Sequence, residues 1–278
     1  MTIHPTTWVV MGIAVMTAHF QEMLMLLTVV FVHELGHAVG AAYYKWRIKS
    51  ITILPFGGML ETEEYGNRTL REDLVVLILG PLQHLWLFLV AFLFYSVGLI
   101  EQSTFTTFVY VNGAVCLFNL LPIWPLDGGK LLFLLLSLRY SFLRSHRLIL
   151  QSSIVTSGLF VLCWLLFGQF SLNLIIIVAF ILFSIVMEWR QRHYVFMRFL
   201  LERHYGKNLE VLKLKPITVD EDEQIQTILQ LFHRGYKHPV IVTKNGKERG
   251  LLDENEILHA YFTDKLTSIK IGDLLYSY

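Results

Sequence analysis

The residues best suited to chemistry are two histidines four positions apart with a glutamate between them: His33, Glu34 and His37, in the segment His-Glu-Leu-Gly-His. On a helix, residues at this spacing lie on one face with Cβ atoms about 5–6 Å apart. Two imidazoles so placed can bind one Zn²⁺ through bonds of about 2.0–2.1 Å. Glu34 is turned by about 100° from His33, so it can take a proton from water activated by the metal and pass it to a leaving amine. The motif predicts a hydrolytic zinc centre with Glu34 as its catalytic carboxylate.

A third ligand is needed, because a catalytic zinc site combines three protein ligands with an open position for water. Asp127 is the best candidate. Pro122 and Pro125 end the apolar helix before it, and the glycine pair after it allows tight backbone geometry. Non-helical backbone at membrane depth is tolerated only where it is buried or lines a wet cavity, the setting that hydrolysis needs. The alternative is a solvated turn aspartate on the cytoplasmic side.

Composition places this motif in a membrane. Of the 278 residues, 54% are hydrophobic and 16% charged, against about 25% charged in soluble domains, and the mean hydropathy is +0.53. Residues 1–188 hold 9 Lys and Arg and 10 Asp and Glu, whereas residues 189–278 hold 14 and 12. We therefore predict a membrane domain at 1–190, a linker at 191–209 and a soluble domain at 210–278. The net charge of +1 gives no reason to expect nucleic-acid binding.

The apolar stretches predict a multi-pass α-helical membrane protein with about six transmembrane helices. Their expected positions are about 7–19, 23–44, 74–100, 105–122, 148–167 and 172–187. The run 131–138 is too short to cross and is expected to be a partly inserted helix. The basic residues that flank the spans all fall on one side, so both termini are predicted to be cytoplasmic. Placing ionisable groups within a membrane span costs free energy, so such groups usually have a function. This argues against the alternative that His33 and His37 are two unrelated histidines.

Residues 48–61 predict a β-hairpin, because their side chains alternate in polarity, turn at Gly57 and Gly58, and resume. An exposed edge of this hairpin can receive an unwound substrate as an added strand. The alternative is a hairpin that only packs on the membrane surface.

The two motifs together resemble the site-2 protease family of intramembrane zinc metalloproteases, and the resemblance covers residues 1–188. It implies that His33, His37 and Asp127 bind the metal and that Glu34 is the catalytic base. It also implies that the substrate cavity is lined by Asn119, Pro122, Gly57 and Gly58. One position departs from the family pattern, since His84 stands where an asparagine follows the Gly80-Pro81 pair. His84 is either a polar contact in the cavity or a hydrogen-bonding residue between helices.

The C-terminal third resembles a single CBS (cystathionine β-synthase-type) domain. A strand, a helix to about Arg234, two strands joined by Asn245-Gly246 and a last helix are expected. The resemblance implies a homo-oligomer formed through CBS domains and an ATP site. Glu256 can accept from ribose hydroxyls, whereas Asp253 would face phosphate unfavourably. A purely structural dimerisation role is the alternative.

The combination of six spans, the zinc motif near the cytoplasmic end of the second span and one CBS domain resembles the sporulation branch of the family. It implies a bacterial protein of the membrane around the forespore that cleaves a sigma-factor precursor and is controlled by small membrane regulatory proteins. The alternative from another class is a CBS-gated membrane metal transporter. Glu34 argues against it, because a transport site needs no base between two ligands. A third alternative is an inactive relative that only holds substrate. The intact His-Glu-Leu-Gly-His motif argues against it.

Overall fold

The computed structural model describes residues 2–3, 7, 12, 20–54, 57–62, 68–167, 172–206 and 213–275. All but two residues of the expected first span at about 7–19 lie outside this part. The chain divides into two compact units, which are described separately. The first comprises Met1–Glu64, Arg71–Leu132 and Ser152–Ile185, and the second Tyr65–Leu70, Phe133–Gln151 and Val186–Tyr278.

Six long helices dominate the described residues: α1 (Phe20–Tyr43), α2 (Leu70–Ser96), α3 (Gln102–Asn119), α4 (Asp127–Arg139), α5 (Phe142–Phe167) and α6 (Leu172–Tyr205). Three of them are long and apolar enough to cross a membrane: α1, α2 and Phe142–Leu166 of α5. The predicted helical membrane architecture is confirmed at this level. The short apolar run lies in α4, whose 13 residues extend about 20 Å, less than the hydrocarbon thickness.

A non-helical segment separates α3 from α4 and sets the position of Asp127 at the start of α4. Ile123 and Leu126 anchor this segment, because both are buried in a cluster with two isoleucines of α6. The Trp124 N–H donates to Ser153 Oγ at 2.8 Å. A Cβ atom on Gly128 would overlap the backbone of Leu120, so the predicted tight geometry around the glycine pair is confirmed.

The predicted hairpin is confirmed, but the position of its turn was wrong. β2 (Ile48–Leu54) pairs antiparallel with β3 (Gly57–Thr62), and β1 (Thr2–Ile3) pairs parallel with the other edge of β2. Leu54 pairs with Gly57, so residues 55–56 form the connection and lie outside the described part of the chain. Gly57 and Gly58 are the first residues of β3. Pro55 has no N–H to donate to a strand ladder, which favours a connection at residues 55–56, two residues before the glycines.

In the second unit, β5 (Ile217–Asp220) pairs parallel with β7 (Val240–Lys244), and β7 pairs antiparallel with β8 (Lys247–Leu252). The remaining elements are α7 (Ile225–Leu229), α8 (Glu254–Phe262), α9 (Ile271–Leu275) and a parallel pair, β4 (Lys213–Leu214) with β6 (Tyr236–Lys237). The predicted order of strand, helix, two strands and helix is therefore present.

The turn at Asn245-Gly246 and the end of α7 can be compared with the positions predicted from the sequence. The Asn245-Gly246 connection has φ of 50° and 75°, as the two-residue hairpin requires. The helix expected to reach Arg234 ends at Leu229 instead. Phe232 is fully buried, and its carbonyl accepts a hydrogen bond from the Phe142 N–H at 2.9 Å, a partner outside the helix.

The segment expected to be a linker, 191–209, is for most of its length part of α6. Phe196, Phe199 and Leu200 are buried within the second unit, and Phe199 stacks on Phe142 with ring centroids 4.1 Å apart. This segment, expected to be a helical linker, is helical as far as Tyr205 and packs within the second unit.

A buried ion pair joins α6 to α8 inside the second unit. Arg203 is 1% exposed and Glu254 is 2% exposed. Arg203 Nη2 donates to Glu254 Oε2 at 2.8 Å, and the His238 N–H donates to the same oxygen at 2.7 Å. Arg203 Nε donates to Glu254 Oε1, and Nη1 donates to the His233 carbonyl at 3.2 Å. The pair is thus hydrogen-bonded on both sides, as a buried pair must be to offset its desolvation.

Replacing Glu254 by Ala should lower the free energy of unfolding by about 3–5 kcal/mol, because a buried guanidinium is left without its counter-ion. Denaturant unfolding of the detergent-solubilised full chain measures this change. Lys237→Ala is the matched control. It removes an exposed pair with Asp253 at 2.8 Å and should cost no more than about 1 kcal/mol. Equal effects of the two variants would contradict the assigned role of the buried pair.

Candidate metal centre

Three buried side chains from two helices meet at one point in the first unit. His33 and His37 project from α1 and Asp127 begins α4; each is 5% exposed or less. His33 Nε2 lies 2.8 Å and His37 Nε2 3.0 Å from Asp127 Oδ2, and the two nitrogens lie 3.1 Å apart. The histidines and aspartate that the sequence singled out, 90 residues apart, are therefore brought together.

The donor set suits zinc. A tetrahedral ion with bonds of about 2.0–2.1 Å holds its ligand atoms about 3.3–3.4 Å apart, slightly farther than the separations here. Outward movements of a few tenths of an ångström would admit the ion. Because only three protein ligands converge in this cluster, the fourth tetrahedral position would be available to water or substrate.

Hydrogen bonds to the outer ring nitrogens fix both imidazoles. His37 Nδ1 donates to the Val76 carbonyl of α2 at 2.9 Å, which leaves Nε2 unprotonated for the metal. His33 Nδ1 lies 3.0 Å from His84 Nε2. Metal ligation through His33 Nε2 would place the proton on Nδ1, so that His33 donates to His84. Both candidate ligands are thus oriented by α2.

His84 in turn is held by Asn112 of α3, through two hydrogen bonds. Since His84 Nε2 accepts, its proton lies on Nδ1 and is donated to Asn112 Oδ1 at 2.8 Å. The Asn112 amide nitrogen donates back to the His84 carbonyl at 3.0 Å. His84 and Asn112 are 4% and 5% exposed. His84 is therefore a hydrogen-bonding residue between helices, one of its two sequence readings, and it also contacts a candidate ligand.

Glu34 lies beside the cluster and against β3. It is 5% exposed, and a Cβ atom on Gly58 would lie 2.6 Å from its Oε1. Only glycine allows the strand to approach the carboxylate so closely. Lys130 approaches the other oxygen of Asp127, with Nζ 3.3 Å from Oδ1. This contact balances the charge of the aspartate while Oδ2 faces the histidines.

The other residues singled out from the sequence do not take part in these hydrogen bonds. Asn119 is the last residue of α3 and Pro122 lies in the break before α4. Glu256 Oε2 accepts a hydrogen bond from the Asp253 N–H at 2.9 Å and so caps α8. Asp253 Oδ2 pairs with Lys237. Both carboxylates of the expected nucleotide site already have partners within the protein.

Sequence reasoning missed Asn112. A signal was present, because an amide within an apolar span must find a hydrogen-bond partner. His84, on the preceding predicted span, also needed one. What the sequence did not contain was the register of α3 against α2, which decides that these two residues face each other.

His84→Ala should weaken zinc binding by about 10–100-fold, because removing an outer hydrogen-bond partner of a metal-binding histidine has that effect. Chelator competition on the purified full chain measures the affinity. Gln83→Ala, on the same turn of α2, is the control and should leave the affinity unchanged. If His84→Ala binds zinc as tightly as the parent protein, His84 does not orient His33.

Comparisons with known proteins agree with this geometry. The family model described as Peptidase family M50 matches residues 21–105 and 96–166. Stage IV sporulation protein FB of Bacillus subtilis is 46% identical over 277 residues, covering 99% of this chain and 96% of the relative. A zinc metalloprotease of Methanocaldococcus jannaschii is 29% identical over 254 residues, covering 88% and 71%.

A solved structure is also similar. The site-2 protease from Methanocaldococcus jannaschii has a TM-score of 0.53 and 26% identity, covering 67% of this chain and 88% of that chain. The family match spans all three candidate ligands and Glu34. The chain therefore belongs to peptidase family M50, the site-2 proteases, and is a zinc metalloprotease of the membrane.

Proposed function

We propose that this chain is an intramembrane endopeptidase with its catalytic unit in residues 1–190, in which His33, His37 and Asp127 bind zinc and Glu34 is the general base. The observation that carries the proposal is the convergence of three ligand atoms on one buried point, with a fourth carboxylate alongside. Zinc at this point supplies a Lewis acid that polarises the peptide carbonyl and lowers the pKa of water.

Glu34 takes a proton from the attacking water and delivers it to the leaving amine. Its burial beside Gly58 holds the carboxylate in place and keeps bulk water away from it. Within the described residues the carboxylate has no hydrogen-bond donor, so its oxygens are available to water.

The substrate is a protein segment that must be unwound before cleavage, because a helix hides its peptide bonds. We propose that β3 receives it as an added strand. One edge of β2 is occupied by β1 and the other by β3, whereas the outer edge of β3 bonds no strand in the described part of the chain. Gly58 brings β3 next to Glu34, and Gly57, beside it at the start of β3, is proposed to line the substrate cavity. Asn119 and Pro122, at the break before α4, are proposed to line the same cavity.

Glu34→Gln should reduce cleavage by about 10²–10⁴-fold, the usual contribution of a general base, while bound zinc stays at the parent level. Proteolysis of a membrane-associated substrate and metal analysis of the same sample measure both quantities. Glu22→Gln is the control, since it makes the same chemical change at an exposed site on α1. Retained cleavage would remove Glu34 as the base.

Gly58→Ala should reduce kcat by about 10²-fold, because the added methyl group displaces either the strand or the Glu34 carboxylate by about 1 Å. Initial cleavage rates at saturating substrate measure it. Gly113→Ala places a methyl group in open space within α3 and should be silent. Equal activity of the two variants would show that the close approach of β3 is not needed.

The proposed membrane arrangement has six spans and cytoplasmic termini. Three described helices satisfy the length and hydropathy of a span. The flanking Lys and Arg residues of the sequence lie on one side of this arrangement, which supports the orientation.

A role in sporulation follows from the 46% identity to stage IV sporulation protein FB. We propose that the substrate is a sigma-factor precursor, that small membrane proteins regulate the enzyme, and that it resides in the membrane around the forespore. A CBS-gated metal transporter is not favoured, because the curated relatives are metalloproteases and Glu34 is intact.

For residues 210–278 we propose a CBS domain, supported by the order β5, α7, β7, β8, α8. Its proposed role is to pair with the same domain of a second copy. ATP binding stays a prediction, and the contacts of Glu256 and Asp253 favour the structural role over it.

A further inference from the structure

A cavity of about 250 Å³ lies within the second unit, apart from the candidate metal centre. The first two turns of α5, the middle of α6, and residues of α7 and α8 enclose it. Its floor is apolar, since Leu150, Leu200 and Leu229 are each 1% exposed or less and Phe196 is buried beside them. Such a floor accepts hydrocarbon rather than a hydrated ion.

The polar groups around the floor are suited to an anion. They are two arginines, two histidines, two glutamines and a tyrosine: Arg147, Arg192, His146, His193, Gln226, Gln230 and Tyr261. All of them can donate hydrogen bonds, and none of the residues that line the cavity is acidic. The nearby carboxylate of Glu188 is already engaged, with Oε1 2.9 Å from His146 Nε2.

The two guanidinium groups keep their charge available. Arg147 is exposed and forms no ion pair with any residue in the described ranges. The Arg192 guanidinium lies over the Trp189 ring, 5.1 Å from its centroid, and pairs with no carboxylate among the described residues. Arginine binds phosphate well because its planar donors match two phosphate oxygens at once.

The cavity lies at the polar ends of apolar segments. On α5 it begins one residue into the candidate span Phe142–Leu166. On α6 it begins at Trp189, which follows the uncharged run 172–187 and Glu188. Tryptophan and arginine at this position are typical of the depth at which lipid headgroups lie, and basic pockets there bind anionic headgroups.

We propose that this cavity binds the headgroup of an anionic phospholipid, with Arg147 and Arg192 on the phosphate and the apolar floor under the start of the acyl chains. Its volume is below the roughly 300–1,000 Å³ of pockets that enclose drug-sized ligands, so it fits a headgroup and not a whole lipid. The proposal is independent of the protease chemistry, and binding would stabilise the packing of α5 on α6.

The test is thermal unfolding of the full chain in neutral detergent, with short-chain phosphatidylglycerol, short-chain phosphatidylcholine or inorganic phosphate added in separate titrations. Phosphatidylglycerol alone should raise the Tm saturably. The double variant Arg147→Gln with Arg192→Gln should weaken this apparent affinity by about 25-fold, since each basic residue contributes about 5-fold at an anionic surface. The double variant to Lys keeps both charges but loses the paired donors, so its affinity should lie between that of the parent and that of the Gln variant.

Arg144→Gln with Arg190→Gln is the matched control, because it removes the same charge from the same two helices outside the cavity lining. It should behave as the parent protein. Three results would overturn the proposal: an equal Tm shift with phosphatidylcholine, an equal shift with phosphate, which would identify a free-anion site, or an equal loss in the control variant, which would indicate diffuse charge attraction.

Discussion

Burying ionisable groups among apolar helices is the constraint on which the catalytic unit depends. His33, His37 and Asp127 are each 5% exposed or less, in helices whose surroundings offer little solvation. Such groups persist only if each one compensates another or a metal. The contacts of 2.8 and 3.0 Å from the two imidazoles to one carboxylate oxygen provide that compensation, and the same contacts define a site for a divalent cation.

The surrounding elements hold this cluster in register. α2 orients both histidines, through the Val76 carbonyl and through His84, and α3 orients His84 through Asn112. The proline-containing break after α3 turns Asp127 towards α1. A Cβ atom on Gly80 would overlap the His37 ring, and one on Gly58 would overlap Glu34. Close backbone approach thus covers the cluster on two sides.

Local signals predicted much of this. The four-residue spacing of His33 and His37 places both on one helical face, and the Asn245-Gly246 turn depends on two positive φ angles that these residues favour. Other features depend on contacts between distant segments and could not be predicted. Asn112 meets His84 because of the helix register, and α7 ends early because Phe232 is buried elsewhere. The hairpin does not turn at its glycines: both belong to β3, where Gly58 allows the strand to approach Glu34.

The central claim is that zinc lies between His33, His37 and Asp127 at membrane depth. Diffraction from crystals of the full chain, collected on both sides of the zinc absorption edge, measures this most directly. The account predicts one strong anomalous peak within about 2.0–2.2 Å of the two Nε2 atoms and an Asp127 carboxylate oxygen. A peak at other residues, or no peak from protein that cleaves its substrate, would contradict it.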